Sequence, residues 1–190
     1  MIGKSLFKYT LIDKGVNPPK GNNIVSPACG KIVDIIRISD KEKLKIKKGI
    51  LGLIESTAKG ITQNGYLISI FMRVYDNHIN RCPIDGKVVS VKHSEGKFKI
   101  ASSLRALENE KTETTLDTKI GKIKVIQIAG YLARRIETFI KPGQKIKKGQ
   151  VFGLIKLGSQ VTMILPSKVK IKVKKGQKVK AGLTVIGEFS

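Results

Sequence analysis

The chain has 190 residues, 41% of them apolar, with 19 Gly, six Phe, four Tyr and no Trp. That length supports one domain with its own core, and the apolar share is too high for an intrinsically disordered chain. Lys and Arg total 37 against 14 Asp and Glu, a formal net charge of +23, so the surface field attracts polyanions, either nucleic acid or an anionic membrane surface. Scarce aromatics leave the core to Ile, Val and Leu; β-branching in the first two favours strands, and the many Gly argue against a helical bundle. The two Cys, at 29 and 82, set no disulfide framework and match no metal-ligand spacing. No run reaches the ~20 apolar residues that span a bilayer, and residues 1–13 lack the apolar core of a signal peptide. The expected location is therefore cytosolic or peripheral, on the cytoplasmic side of a membrane, with no transmembrane segment.

Residues 1–23 read as a basic lead-in punctuated by Pro and Gly, and 24–190 as one domain. Strand-like runs follow at 24–25, 30–38, 66–74, 86–91, 97–100, 121–128, 151–155, 161–165 and 169–173, separated by turn residues. This spacing predicts a mainly β domain, a β-sandwich or barrel-sandwich, with short helical or loop insertions. Residues 102–113 read as a helix or an ordered loop, and 129–139 as a short helix or a strand. Three segments share an apolar-x-x-Gly ending: Leu44-Lys-Ile-Lys-Lys-Gly-Ile50, residues 140–151 and residues 173–183. Gly permits the turn, and the next apolar residue returns the chain to the sheet. The last two copies resemble the turns of biotinyl- and lipoyl-type carrier domains, but no Met-Lys pair is present, so the repeats read as scaffold.

Few residues can carry proton chemistry. His78 lies between a buried-looking strand and a Pro/Asp-Gly turn, and its ordinary pKa suits a proton carrier near neutrality. His93 sits among charged turn residues and reads as solvated. The pair Gly158-Ser159 stands between two apolar runs. Most such pairs are turns, but a serine hydroxyl pressed against the preceding carbonyl can convert the amide to an ester.

The run 70–86, with Phe71, Met72, Asp76, His78, Asn80, Arg81, Pro83 and Gly86, resembles a stretch of the short bacterial and archaeal-type phosphatidylserine decarboxylases. Val125-Ile-Gln-Ile-Ala-Gly-Tyr-Leu-Ala-Arg-Arg-Ile136 is similar to a second stretch of that family, and Phe152-Gly-Leu-Ile-Lys-Leu-Gly-Ser159 to its self-processing motif. The resemblance implies a pyruvoyl enzyme that removes CO2 from phosphatidylserine and makes phosphatidylethanolamine. Self-cleavage between Gly158 and Ser159 would give a chain 1–158 that stays paired with a small chain 159–190. A pyruvoyl group derived from Ser159 would take up the electrons released with CO2, so the cofactor carries the hard step. His78 is then the candidate proton donor to the α-carbon. Arg134 and Arg135 are candidates for the substrate carboxylate or phosphate; on a strand these neighbours face opposite ways, so at most one reaches the pocket.

Ser26-Pro-Ala-Cys-Gly30 puts Cys29 where this family has an Asp that assists the backbone attack. A thiol orients and charge-stabilises a proton-accepting His poorly. A processing-impaired or inactive family member is therefore the alternative, with Asp76 or Asp34 as substitute acids. Arg81 stands where longer members carry a second His. The N-terminal hydrophobic segment of many relatives has no counterpart in 1–23, so membrane contact is expected to rest on basic charge and on Leu6, Phe7 and Tyr9. The expected partner is phosphatidylserine, or archaetidylserine with the same phosphoserine, in an anionic membrane surface, and the expected assembly is a homodimer. A basic β-barrel that binds nucleic acid is the remaining alternative; without a basic-aromatic cluster it has no stacking platform, and no nucleic acid is expected.

Overall fold

The computed structural model describes residues 15–39, 48–97, 102–130, 135–155 and 159–190. Ile, Val and Thr runs form its strands, because branched side chains pack well on a pleated surface. In chain order the elements are β1 (Asn23–Val25), β2 (Gly30–Ile38), α1 (Lys48–Ala58), β3 (Gly65–Met72), β4 (Ile79–Arg81) and β5 (Gly86–Ser94). A 3-10 helix (Leu104–Glu108) precedes β6 (Lys111–Thr118), β7 (Gly121–Ile128), β8 (Ile136–Thr138), β9 (Lys145–Ile146) and β10 (Val151–Ile155). The chain ends with β11 (Ser159–Pro166), β12 (Lys170–Ile171), β13 (Lys178–Val179) and β14 (Val185–Glu188). The mainly β expectation holds.

An eight-stranded sheet runs in the order β13-β2-β3-β11-β7-β6-β5-β9, and two three-stranded sheets run β4-β10-β8 and β1-β14-β12. Strand β11 lies inside the large sheet, antiparallel to both β3 and β7, and its first seven residues are buried. A strand covered on both faces reads as a nearly continuous apolar run. Alternation then sorts its side chains. Val161, Met163 and Leu165 join Ile68, Ile70 and Val125 in the main core, while Ile164 joins Leu67, Ile126 and the α1 residues Ile54 and Ala58 in a second core.

The glycine repeats form one recurring turn. Gln144, Gln150 and Gln177 each accept, through Oε1, the backbone N–H of the Lys three residues earlier, at 3.3, 3.0 and 3.1 Å. Gly143, Gly149 and Gly176 hold the third turn position at φ 88°, 80° and 90°, a conformation that glycine adopts without strain. These turns belong to a larger internal repeat. Segment 26–33 matches 82–89 in conformation and bonding: Gly182 N–H donates to Ser26 O as Gly149 N–H does to Cys82 O, and Gly176 N–H to Ile32 O as Gly143 N–H does to Val88 O. Within this pseudo-symmetry Cys29 corresponds to Asp85. The Asp85 carboxylate accepts the Lys148 N–H at 2.7 Å, and the Cys29 Sγ accepts the Ala181 N–H at 3.3 Å.

Several local readings change. Lys48–Ile50, read as the end of a turn, opens helix α1. Strand β6 was not expected from its polar sequence, although Thr112, Thr114 and Leu116 alternate inward as β-branched and apolar positions should. Of the run 97–100, Lys97 makes an isolated bridge to Asn109 and the rest lies outside the described residues. The ambiguous 129–139 segment ends in β8, with 131–134 outside the described residues.

Two glycines test this packing in opposite directions. A Cβ on Gly153 would lie 2.4 Å from the Glu137 carbonyl and 2.7 Å from Gln127 Nε2, whereas one on Gly52, in exposed α1, meets nothing within 4 Å. Gly153→Ala should lower the denaturant-derived stability by about 1–3 kcal/mol, and Gly52→Ala should raise it by about 0.5–1 kcal/mol.

Candidate active site

Two connections join the large sheet to the sheet β4-β10-β8 in chain order. One is residues 73–78, between β3 and β4; the other is 156–158, between β10 and β11. Met72 stands opposite Ser159, Ile79 stands opposite Leu154, and Ile155 N–H donates to the His78 carbonyl at 3.2 Å. The register therefore places His78 across from the end of β10, close in sequence to the start of β11. Gly158 lies outside the described residues. Ser159 opens β11 with 0% exposure, and its Oγ has no hydrogen-bond partner among the described residues. Leaving a buried hydroxyl unpaired costs about 1–3 kcal/mol; Thr114 Oγ1 and Gln160 Oε1 of the same sheet are also without a partner among the described residues. By alternation Ser159 shares the face of Val161 and Met163, the side of the main core.

A buried polar clasp ties the two sheets together on that side. Gln127 of β7 donates through Nε2 to Asn80 Oδ1 of β4 at 2.9 Å, and the Thr138 hydroxyl of β8 donates to Gln127 Oε1 at 2.8 Å. Asn80 Nδ2 turns back to Met72 Sδ, at 3.8 Å. On the opposite face Ser69 and Thr162 hydroxyls meet at 3.0 Å, and Gln160 Nε2 donates to Thr162 at 3.0 Å. Sequence reasoning did not single out Gln127 or Gln160. Their signal is a carboxamide inside an otherwise apolar strand, which has to find a partner once buried.

His78 is half-buried. Burial pulls its imidazole below the usual histidine value, and the backbone and carboxylate of Asp76 only partly offset this, so the ring is neutral near neutral pH. The Asp76 carboxyl is pushed up by burial, but hydrogen bonds from Arg73 outweigh that and hold it below the usual aspartate value. Of the two substitute acids, Asp76 acts on His78, whereas Asp34 pairs with Lys175 at 3.2 Å. His93 stands apart on β5, its Nδ1 3.0 Å from the Thr112 hydroxyl. Burial pushes the Cys82 thiol up to about 12, and it donates to Ile84 O, a structural role.

A cavity of about 590 Å³ opens beside the 73–78 connection. Its described lining carries four cations, Arg73, Arg81, Lys178 and Lys180, against one carboxylate, Asp76, and includes Cys29. Arg81 is buried, donates through Nη1 to Gly149 O at 2.8 Å, and packs its stem beneath Gly182. Arg135 is exposed ahead of β8, and Arg134 lies outside the described residues, as do Leu6, Phe7 and Tyr9. Among the described residues no helix is long and apolar enough to cross a membrane.

Fold and site together define a mainly β protein with a buried serine hydroxyl, unpartnered among the described residues, at the head of an interior strand. The family model for phosphatidylserine decarboxylase matches residues 4–187. The phosphatidylserine decarboxylase proenzyme of Chlorobaculum tepidum is 46% identical over 64% of this chain and 57% of its own length. That of Chlorobaculum parvum is 37% identical over 96% of this chain and 77% of its own length. That of Carboxydothermus hydrogenoformans is 37% identical over 90% and 74%. The chain belongs to the phosphatidylserine decarboxylase family. With the Chlorobaculum tepidum protein, and with a Methanothermobacter thermautotrophicus relative at 42% identity, the match spans only 57% and 56% of the relative's length.

The depressed His78 pKa has a signed consequence for stability. Below about pH 6.5 the unfolded chain binds the proton more readily than the folded one. The contribution of His78 is thus fully present above that pH and is lost as pH falls through the folded-state value. The urea midpoint of the wild type should fall between pH 7.5 and 5.5, and His78→Gln should flatten that dependence, as read by circular dichroism.

Proposed function

We propose that the chain is a proenzyme that cuts itself between Gly158 and Ser159 and then decarboxylates phosphatidylserine to phosphatidylethanolamine and CO2. The observation that carries this reading is the buried Ser159 Oγ, which has no hydrogen-bond partner among the described residues. In the cleavage, Oγ attacks the Gly158 carbonyl carbon as its proton leaves toward His78. The C–N bond breaks, the nitrogen takes up a proton, and the amide becomes an ester. Removal of the Ser159 α-proton then expels Gly158 as a carboxylate and leaves dehydroalanine, whose hydrolysis releases ammonia and leaves a pyruvoyl group. A neutral His78 suits both proton abstractions.

The residues present fit such a group. Ser159 is enclosed, its oxygen is uncommitted, and the Asn80–Gln127–Thr138 clasp holds the sheet that carries His78. The pyruvoyl carbonyl, once formed, supplies an electron sink for the bond that breaks when CO2 leaves. His78 holds the proton that returns to the α-carbon. Two sources of cation serve the anionic headgroup: one of Arg134 and Arg135, and the cavity set, in which Arg81 is the buried member. A phosphoserine is the shared feature of phosphatidylserine and archaetidylserine, and both fit this chemistry. After cleavage the small chain 159–190 stays bound, because β11 is hydrogen-bonded on both sides inside the large sheet.

Intact mass after denaturing electrophoresis should reveal fragments 1–158 and 159–190, the latter with a blocked N-terminus. Ser159→Ala should leave one full-length chain; a wild type that stays whole on long incubation would reduce the protein to an inactive relative. Cys29→Asp should keep the fold, because its pseudo-symmetric counterpart Asp85 already accepts a backbone N–H in the same geometry. That variant should raise the processing rate by roughly tenfold or more, in line with the 10²–10⁴ typical of a well-placed general acid–base system. An unchanged rate would remove position 29 from the cleavage machinery.

A further inference from the structure

Three of the four large apolar side chains exposed among the described residues sit at one place: Val74 (54%), Tyr75 (76%) and Leu183 (41%). Tyr75 and Leu183 line the mouth of the basic cavity, and Val74 adjoins Tyr75. Both turns that present them are pinned. The Asp76 carboxylate accepts the Arg73 backbone N–H at 2.8 Å and its guanidinium at 3.2 and 3.3 Å, and Asp76 N–H returns to Arg73 O at 2.9 Å. The guanidinium also lies over the Tyr75 ring, 4.4 Å from its centre. Around Leu183, Lys180 N–H donates to the Thr184 hydroxyl at 2.9 Å and Gly182 N–H to Ser26 O at 2.7 Å. Turn tips are ordinarily polar, and solvating apolar groups there gives the fold nothing. Holding them outward on ordered turns is the arrangement of a contact surface.

The charge around them identifies the partner. Lys178 and Lys180 flank Leu183 and are exposed, and Asp76, the carboxylate of the described rim, is neutralised by Arg73. Tyrosine prefers the headgroup layer of a bilayer, and Lys and Arg draw to anionic lipid. We propose that the cavity mouth is the membrane-docking face, with Val74, Tyr75 and Leu183 entering the headgroup region of an anionic bilayer while Lys178 and Lys180 contact its phosphates. In this pose the cavity opens onto the lipid surface, and a headgroup enters it without its acyl chains leaving the bilayer. The inference rests on the activity proposed above only for that last step.

Sedimentation with phosphatidylcholine vesicles containing phosphatidylglycerol, an anionic lipid that is not the substrate, separates docking from catalysis. The wild type should bind and lose binding as salt rises. The combined Val74→Ser, Tyr75→Ser and Leu183→Ser variant should bind at least ~10-fold more weakly, and Lys178→Gln with Lys180→Gln should weaken binding and flatten its salt dependence. Val89→Ser, which removes the remaining exposed apolar side chain on β5, should change nothing, and thermal melting should report all variants folded. Val74→Ser alone, which leaves the cavity lining intact, should keep turnover of monomeric short-chain phosphatidylserine while losing it on vesicles. Wild-type failure to bind vesicles, undiminished binding by the triple variant, or a change in oligomeric state in place of vesicle binding would overturn the proposal. Absent turnover on every substrate, with vesicle binding behaving as described, would sink the activity and leave the docking face standing.

Discussion

The burial of β11 is the constraint on which the rest depends. A strand hydrogen-bonded on both sides and covered on both faces has little room for uncommitted polar atoms, yet it begins with two among the described residues, Ser159 Oγ and Gln160 Oε1. The neighbouring β3 and β10 then determine what surrounds that serine. Their register sets Met72 of β3 opposite Ser159, and Leu154 of β10 opposite Ile79, the residue after His78. Any chemistry at Ser159 therefore takes place on a strand already paired with β3. It needs little reorganisation, which is how preorganised sites lower barriers.

Holding the small sheet β4-β10-β8 in place falls to side chains. Gln127 reaches from the large sheet to Asn80 and Thr138, and Gly153 leaves the space that the carboxamide occupies. Such a network is stabilising only when fully satisfied, and both ends of Gln127 are. Apolar packing alone would allow the sheets to slide; directional bonds from β7 to β4 and β8 do not.

The internal repeat explains the family departure at position 29. In one half of the molecule a carboxylate clamps the backbone of the glycine turn, and in the other half a thiol does. Cys29 thus keeps the structural half of what an Asp would do there, with a longer and weaker hydrogen bond to the same kind of donor. What it does not keep is the negative charge, and Asp76 is the carboxylate whose field reaches His78.

The sequence by itself determined the strand content, the recurring Gly-Gln turns, the candidate pair Ser159 and His78, and the family likeness. All of these rest on local signals: branched side chains, a glycine that must take positive φ, and motifs short enough to read along the chain. It did not reveal β6, whose inward Thr residues resemble a polar loop until a neighbouring strand covers them, nor the helix at 48–58, where Gly49 reads as a turn. Nor did it reveal that segments 26–33 and 82–89 are equivalent, since their likeness lies in which backbone each clamps. Tertiary structure alone decided that Ser159 Oγ has no partner among the described residues, that Gln127 joins three strands, and that Tyr75 and Leu183 line one cavity. These facts depend on which distant segments pack together, and in an antiparallel sheet that is set by register across the whole core.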